Sequence, residues 1–246
     1  MARHVLLNNV EHKNLRVITQ RGAQFGDNVG NVVVLPTEYR ELQREYPIFF
    51  RKEPGGDSYL SVAMLGFAKD ENLFLEDAGW NARYLPAVLA RGPFLIGFQE
   101  AQVDGEVRNS PVIHIDLDHP RVSEAEGEPL FLKLGGNAPY LQEMTSVLDR
   151  IHRGLALSKD MFAAFTALDL IDPITLEVKL DADEQHNLLG YFTINLEKLR
   201  ALDAASLAGL HRSGFLESAY LVLGSVNNVR KLVDRKLQRR RGSATS

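Results

Sequence analysis

A short stretch near the middle of the chain carries the residue types that most directly suggest chemistry. Polar residues alternate there with apolar ones, in the run Ile113-His114-Ile115-Asp116-Leu117-Asp118-His119. Successive side chains of a β-strand point to opposite faces, so His114, Asp116 and Asp118 are expected to share one face. A His-x-Asp pair on a strand, completed by a distant histidine, is the ligand set of non-haem iron oxygenases. The histidines that could complete it are His152, His186 and His211.

The same alternation is also what a half-exposed strand shows without any metal. The metal hypothesis, with Fe2+ and 2-oxoglutarate as cofactors and His114 and Asp116 as ligands, is therefore the alternative. The main prediction assigns no metal, no cofactor and no catalytic residue. The glycine clusters at 22–30, 55–56 and 135–136 lack the context of a phosphate-binding loop, and no serine lies in a Gly-x-Ser-x-Gly motif.

The amino-acid composition excludes several further classes of function. The 246 residues are enough for one large domain or two small ones. The absence of cysteine excludes disulfides, thiolate metal sites and a cysteine nucleophile, and a net charge of −4 argues against a general nucleic-acid binder. We find neither the apolar core of a signal peptide nor a run of apolar residues that could span a bilayer. The expected location is therefore the cytoplasm.

Hydrophobic periodicity predicts an α+β fold, in which an N-terminal mixed or antiparallel sheet with short helices packs against a C-terminal helical layer. Residues 1–134 are rich in strands, residues 135–241 are mainly helical, and the two parts are expected to form one integrated domain with a disordered tail at 242–246. A helix is predicted over 138–170, with Gly154 as its weakest point. Its apolar stripe is expected to include Leu141, Met144, Leu148, Ile151 and Leu155. Alternation over 176–194 predicts a β-hairpin that completes or extends the sheet.

The C-terminal region contains several helix signals. Asn195 and Asp203 are predicted to cap two short helices, and Gly214 to end the second. One final helix is predicted from Phe215 onward. Its apolar face is expected to consist of Leu216, Tyr220, Leu223, Val226, Val229, Val233 and Leu237.

A corner rich in aromatic residues, Gly79 to Phe98, combines a short helix with a buried strand and contains the single tryptophan of the chain. The structural interpretation is a corner of the core. The functional interpretation is a pocket or groove that recognises a peptide or small ligand, because Trp, Tyr and Arg are the residue types that anchor binding. The candidate binding residues are Trp80, Arg83, Tyr84, Pro86, Arg91 and Phe94.

This corner resembles the SapC family, in which Trp-x-Ala-x-Tyr-x-Pro-Ala followed by Arg-x-Pro-Phe recurs. Four further stretches fit the resemblance in order: Leu35 to Tyr39 with Tyr46 to Ile48, Glu71 to Phe74, Gly127 to Phe131, and Leu168 to Pro173 with Gly190 to Phe192. The family name comes from an association with bacterial surface layers. The resemblance implies neighbours in an uptake or modification system, namely flavin-dependent halogenase-like or cupin-like proteins and outer-membrane receptors.

The function predicted from these observations is a non-enzymatic binding or accessory protein that recognises a protein, peptide or small ligand. The alternatives are the iron- and 2-oxoglutarate-dependent oxygenase and a structural component of the surface layer. The sequence does not decide the oligomeric state, and a homo-oligomer is one of the alternatives. Seven basic residues lie between Arg230 and Arg241. They either dock an acidic partner, nucleic acid or anionic lipid, or they form a solvated helix end, and the solvated end is the preferred interpretation.

Overall fold

The structure is a computed structural model that describes residues 2–103, 106–180 and 185–243. Its strands are β1 His4–Leu6, β2 Arg16–Val17, β3 Asn31–Val34, β4 Ile48–Lys52, β5 Tyr59–Met64, β6 Leu75–Glu76, β7 Gly79–Trp80, β8 Phe94–Val103, β9 Glu106–Asp116, β10 Val122–Ser123, β11 Glu128–Pro129, β12 Ile171–Lys179 and β13 Gln185–Ile194. Its α-helices are α1 Tyr39–Leu42, α2 Ala87–Ala90, α3 Pro139–Ala167, α4 Leu196–Arg200, α5 Ala204–Ser213, α6 Phe215–Ser225 and α7 Asn228–Ser243, and two 3-10 turns are Ala23–Phe25 and Pro36–Glu38. All described strand pairs are antiparallel. The fold is therefore α+β, as predicted.

The chain divides into two compact units, each of which combines two separate segments. Unit 1 comprises Met1–Asp27 and Ala87–His152, and unit 2 comprises Asn28–Pro86 and Arg153–Ser246. The boundary predicted at 134/135 falls within unit 1. Helix α3 contributes residues 139–152 to unit 1 and residues 153–167 to unit 2, and each part is described with its own unit.

Unit 1 is built on the three-stranded sheet β1-β9-β8 and on a smaller sheet in which β2 lies between β10 and β11. Strands β8 and β9 form a hairpin with Phe94 opposite Ile115 near its base. The first part of α3 buries Leu141, Met144 and Leu148, three members of its predicted apolar stripe. The core of unit 1 consists of Leu15, Val17, Ala87, Phe94, Ile115, Leu130, Phe131, Leu141, Met144, Val147 and Leu148.

Unit 2 is built on a five-stranded sheet in the order β12-β13-β4-β5-β3. The predicted hairpin is confirmed as β12 and β13, and it extends the sheet because β13 pairs with β4 through Phe192 and Phe50. The second part of α3 lies against this sheet. There the ring of Phe162 meets Phe50 edge-on, with centroids 5.0 Å apart, and Phe165 lies 6.3 Å from Phe50.

The predicted caps of the short C-terminal helices are confirmed. The side chain of Asn195 accepts a hydrogen bond from the Lys198 backbone N–H at 2.9 Å, and that of Asp203 accepts one from the Ser206 backbone N–H at 2.7 Å. Gly214 ends α5 in the left-handed conformation, with φ at 78°. These polar groups satisfy backbone N–H and C=O groups that a helix terminus leaves unpaired.

The single final helix is a wrong prediction, because the chain breaks between α6 and α7. Ser225 and Asn228, on either side of the break, are buried polar residues. The Ser225 hydroxyl accepts a hydrogen bond from the Ile48 backbone N–H at 2.9 Å, and the Asn228 amide donates to the carbonyls of Gln43 and Tyr46. These contacts with residues 43–48, at the start of β4 and just before it, replace continuous helical hydrogen bonding at the break. Elsewhere in unit 2, α6 packs against β4 and β13.

Within the described ranges, none of the helices combines the length and the hydropathy required of a membrane-spanning segment.

Candidate functional site

The structure places four of the six predicted binding residues in unit 2: Trp80, Arg83, Tyr84 and Pro86. The Trp80 indole N–H donates to the Tyr46 hydroxyl at 3.1 Å and to the Tyr84 carbonyl at 3.3 Å, and its ring stacks on Phe74. The Tyr84 hydroxyl donates to the Glu38 carboxylate at 2.7 Å. Burial raises the pKa of Tyr46, which keeps this hydroxyl protonated as the donor to the Tyr84 carbonyl. The polar edges of Trp80 and Tyr84 are thus engaged in contacts within unit 2.

The other residues of the corner differ widely in exposure. Pro86 is buried and Arg83 is exposed. Arg91 and Phe94 belong to unit 1, where Phe94 is fully buried and packs against Tyr140 with ring centroids 6.1 Å apart. Arg83 lines a shallow recess of unit 2 together with Tyr84. Arg91 lines a recess of unit 1, which is the candidate site described below.

The predicted metal pair lies on β9 in unit 1. The Asp116 carboxylate accepts hydrogen bonds from the backbone N–H groups of Arg3 at 2.9 Å and Asp118 at 3.1 Å. The ring of His114 lies over Gly97, since an added Cβ at Gly97 would be 2.6 Å from His114 Nε2. Both side chains therefore already have neighbours within unit 1.

The histidines proposed as third ligands do not complete the set in the described part of the chain. The ring of His152 packs on Phe98 at a centroid distance of 5.6 Å. His211 is exposed on α5 in unit 2, and the side chain of His186 lies outside the described residues. Across residues 2–103, 106–180 and 185–243, no three acidic or histidine side chains are grouped to hold a metal ion.

The basic C-terminal helix α7 docks against unit 2 through its cations. The Lys231 ammonium donates to the Arg44 carbonyl at 2.9 Å, Lys236 pairs with Glu71, and Arg239 donates to the carbonyls of Asn72 and Leu75. Arg235 donates to the Asn81 carbonyl at 3.0 Å and lies over the Phe74 ring at 4.4 Å. The interpretation as a solvated helix end is wrong for these four side chains, because they bind carbonyl and carboxylate groups of residues 44–81.

A recess of about 200 Å³ in unit 1 collects charged groups from four separate segments of the chain. Its wall comes from the N-terminal strand and the turn before residue 28, from the α2–β8 connection, and from the loop after β9. The titratable side chains that line it are His4, Asp27, Arg91, Asp116, His119 and Arg121.

Arg121 is the buried cation behind this recess. It is 2% exposed, and its guanidinium pairs with Asp27, which is 3% exposed. It also donates to the backbone carbonyls of Ile18 and Gln20 and lies over the Phe25 ring at 4.6 Å. A buried ion pair is stable only when its remaining donors are satisfied in this way. Arg121 therefore supplies charge to the recess, while most of its donors bind the protein.

Arg21 shares the same carboxylate. Its guanidinium lies 3.4 Å from Asp27 and donates to the Leu89 carbonyl at 2.9 Å. Burial and the neighbouring Arg121 charge lower the pKa of Arg21. Two cations thus share one carboxylate, which leaves an excess of positive charge beside the recess.

Arg91 adds a third cation that has no carboxylate partner among the described residues. Its one side-chain hydrogen bond within this part of the chain goes to the Phe94 carbonyl at 2.7 Å. It is half-buried, and burial lowers its pKa. A guanidinium carries five N–H donors in a planar fork, so Arg91 keeps donor capacity at the wall of the recess.

His119 reports the positive potential of the recess. Burial lowers its pKa, and the charges of Arg121 and Arg91 act in the same direction, while Asp116 and Asp27 oppose them. Its Nδ1 accepts a hydrogen bond from the Arg121 backbone N–H at 3.1 Å, which places the proton of the neutral ring on Nε2. The other acidic side chain of the wall, Asp116, lies 4.0 Å from His4.

This arrangement can bind an anion. The group contains three arginines, Arg21, Arg91 and Arg121, and only two carboxylates, those of Asp27 and Asp116. Arg91 and His119 also have N–H donors without an acceptor among the described residues. Of this group Arg91 was predicted as a binding residue, and Asp116 as a metal ligand in the alternative hypothesis. The sequence analysis missed four residues of the site: Arg21, Asp27, His119 and Arg121. A local signal existed for two of them, because His119-Pro120-Arg121 follows directly after the strand with the His-x-Asp pair.

Comparison with known proteins gives one informative result. A family model described as SapC matches residues 7–232. No curated protein and no solved structure matches the chain significantly. Since the matched range contains nearly all of both units, the chain belongs to the SapC family.

Proposed function

We propose that this SapC-family protein is a non-enzymatic binding protein, and that its ligand carries a small oxyanion, a phosphate or a carboxylate, held in the recess of unit 1. The observation that carries this proposal is Arg91, a half-buried guanidinium without a carboxylate partner among the described residues. Burying an unpaired charge is costly. An oxyanion in the recess would remove that cost and would match the planar fork of the guanidinium.

The size of the recess limits the ligand. Pockets for drug-sized molecules measure roughly 300–1,000 Å³, whereas this recess measures about 200 Å³. It is suited to a single phosphate or carboxylate group and a few attached atoms. A larger ligand would have to present such a group at one end and leave the rest outside.

The side chains of the wall favour binding over catalysis. Among the described residues that line the recess, none carries a hydroxyl or a thiol that could act as a nucleophile. The Nδ1 atom of His119 is occupied by a backbone N–H. The two carboxylates of the wall are engaged as well: Asp27 pairs with Arg21 and Arg121, and Asp116 accepts two backbone N–H groups. The cations and N–H donors that remain would hold an anion without transforming it. A role in an uptake or modification system is the expectation that the family resemblance adds.

The proposal is tested by titrating the protein with sodium phosphate, and separately with sodium acetate, in a calorimeter. The buffer contains chloride at low ionic strength, because salt screens the interaction. We expect one site per chain for at least one of the two anions. Arg91→Gln should weaken binding about 10- to 100-fold, since a hydrogen bond to a charged group contributes roughly 1.5–3 kcal/mol.

The matched control is Arg212→Gln, which removes an exposed arginine of α5 in unit 2 and should leave the affinity unchanged. Circular dichroism of both variants checks that they fold like the wild type. If neither anion binds the wild type, or if the two variants bind equally well, the recess is not the ligand site.

A further inference from the structure

The five-stranded sheet of unit 2 ends at β3, and no other described strand of unit 2 pairs with the outer edge of β3. Strand β3 pairs with β5, from Asn31 opposite Met64 to Val34 opposite Ser61. In the described part of the chain no backbone hydrogen bond from a third segment reaches Asn31–Val34. An uncovered edge is a row of unpaired N–H and C=O groups that can pair with another strand.

The two edges of this sheet differ in how they are protected. The opposite edge strand, β12, contains Pro173, which lacks a backbone N–H and hinders the addition of a strand. Strand β3 has the sequence Asn-Val-Val-Val, without proline, lysine or a bulge. Proteins usually blunt a free edge with such devices or by keeping the edge strand short. Strand β3 has four residues and only this last device, so its edge can still accept a short added strand.

A groove opens beside the C-terminal half of this edge, where Val33 and Val34 line it together with the start of β5. It measures about 880 Å³ and lies between β3 and the second part of α3. Apolar side chains line most of it, among them Val33, Tyr59, Leu155 and Phe162. Leu155 belongs to the apolar stripe predicted for α3, yet it is 55% exposed. A strand added to β3 would lie along the groove, and alternate side chains would reach its apolar wall.

The charge at one end of the groove indicates the polarity of the occupant. Val34 lies opposite Ser61, so the turn from Glu53 to Asp57 stands beyond the C-terminal end of β3. Asp57 is 3.6 Å from Lys52, whereas the Glu53 carboxylate has no cationic partner among the described residues. Lys159 lines the groove from the helix side. An antiparallel occupant would place its N-terminal residues near Glu53, where a basic side chain is favourable.

We propose that β3 and this groove bind an extended segment of another protein by strand addition. The segment has apolar side chains at alternate positions and a basic residue at its N-terminal end. This function is independent of the oxyanion recess, since every group that it uses lies in unit 2. Main-chain hydrogen bonds to β3 provide affinity, and the groove and Glu53 provide specificity.

The test is an NMR titration of 15N-labelled protein with the acetylated and amidated peptide Lys-Val-Thr-Val-Thr-Val. We expect amide shifts at Val32–Leu35 and around Leu155, and none at the control edge Ile171–Lys179. Leu155→Glu should weaken binding at least about tenfold by placing a charge against the apolar side chains. The peptide that begins with Glu instead of Lys should bind about fivefold more weakly, as expected for loss of one exposed charge pair.

Leu189→Glu is the matched control, because Leu189 is also exposed, at 68%, but does not line the groove; it should bind the peptide like the wild type. Three results would overturn the proposal: no binding at millimolar peptide, shifts confined to β12, or unchanged affinity in Leu155→Glu. Sedimentation provides a further check. A dimer that Leu155→Glu disperses would assign the edge to a second copy of this chain and exclude the peptide.

Discussion

Replacing Asp27 by asparagine is expected to lower the free energy of unfolding by about 3–5 kcal/mol, the usual cost of removing one partner from a buried ion pair. Asp27 is the carboxylate shared by Arg21 and Arg121, and Arg121 is almost fully buried. Asparagine keeps the shape of the side chain but leaves both guanidinium charges uncompensated inside unit 1. Urea unfolding followed by circular dichroism measures the loss.

The control for this prediction is Glu217→Gln, which breaks the pair between Glu217 and Arg40. That pair has a short contact of 2.7 Å, but both side chains are well exposed. An exposed pair contributes little because water and salt screen it, so the unfolding curve should hardly move. If Asp27→Asn were as harmless as Glu217→Gln, the cluster would not depend on its carboxylate, and the excess positive charge described for the recess would be an error.

Gly154→Ala is expected to destabilise the protein by up to about 2 kcal/mol, although alanine is the better helix former by about 1 kcal/mol. A Cβ at this position would lie 2.8 Å from Leu35 Cβ and 2.9 Å from Thr37 Oγ1. Leu35 is 2% exposed and has little room to move. Overpacking of this kind costs about 1–3 kcal/mol, which exceeds the gain in helix propensity.

Gly209→Ala is the matched variant. Gly209 lies within α5, and a Cβ there meets nothing within 4 Å. Alanine should therefore stabilise the protein by about 0.5–1 kcal/mol. Urea unfolding of the two variants should thus show shifts in opposite directions. A stabilising effect of both substitutions would mean that α3 does not approach Leu35 as closely as the structure shows.

The sequence predicted those parts of the fold that depend on neighbouring residues. The caps at Asn195, Asp203 and Gly214 are local hydrogen-bond and backbone features, and the structure contains all three. The alternation over 176–194 gave the hairpin β12–β13 for the same reason. Gly154, in contrast, was predicted only as a weak point of a helix. Its actual role, a close approach of α3 to Leu35, depends on a tertiary contact that the sequence does not show.

The sequence was less informative about features that depend on contacts between distant parts of the chain, such as which face of a helix is buried. In α6 the predicted inward face included Tyr220, which is 51% exposed, whereas Phe215, Ala219 and Val222 are buried. Helix α6 is apolar on most sides, so periodicity alone could not select the buried face. The two units had no signature either, because each combines segments from separate parts of the chain.

The candidate site was only partly predictable for a related reason. Arg91 was selected because it lies beside the aromatic corner, yet its role in the recess comes from partners elsewhere in the chain. Asp27 and Arg121 are 94 positions apart, and neither belongs to a motif. Charge clusters assembled from distant loops leave no periodic signal in a single sequence.

The most direct test of the oxyanion recess is the pKa of His119, followed by NMR in chloride and in phosphate of equal ionic strength. Burial and the nearby arginines lower this pKa in the folded state, so the unfolded chain binds the proton more readily. The stability contributed by neutral His119 is therefore present above about pH 6.5 and is lost as the pH falls toward the lowered pKa. The measurement is repeated in acetate of the same ionic strength. At least one of the two anions, phosphate or acetate, should raise the pKa of His119 in the wild type and not in Arg91→Gln. An equal pKa in chloride, phosphate and acetate, or an equal rise in the variant, would contradict the account.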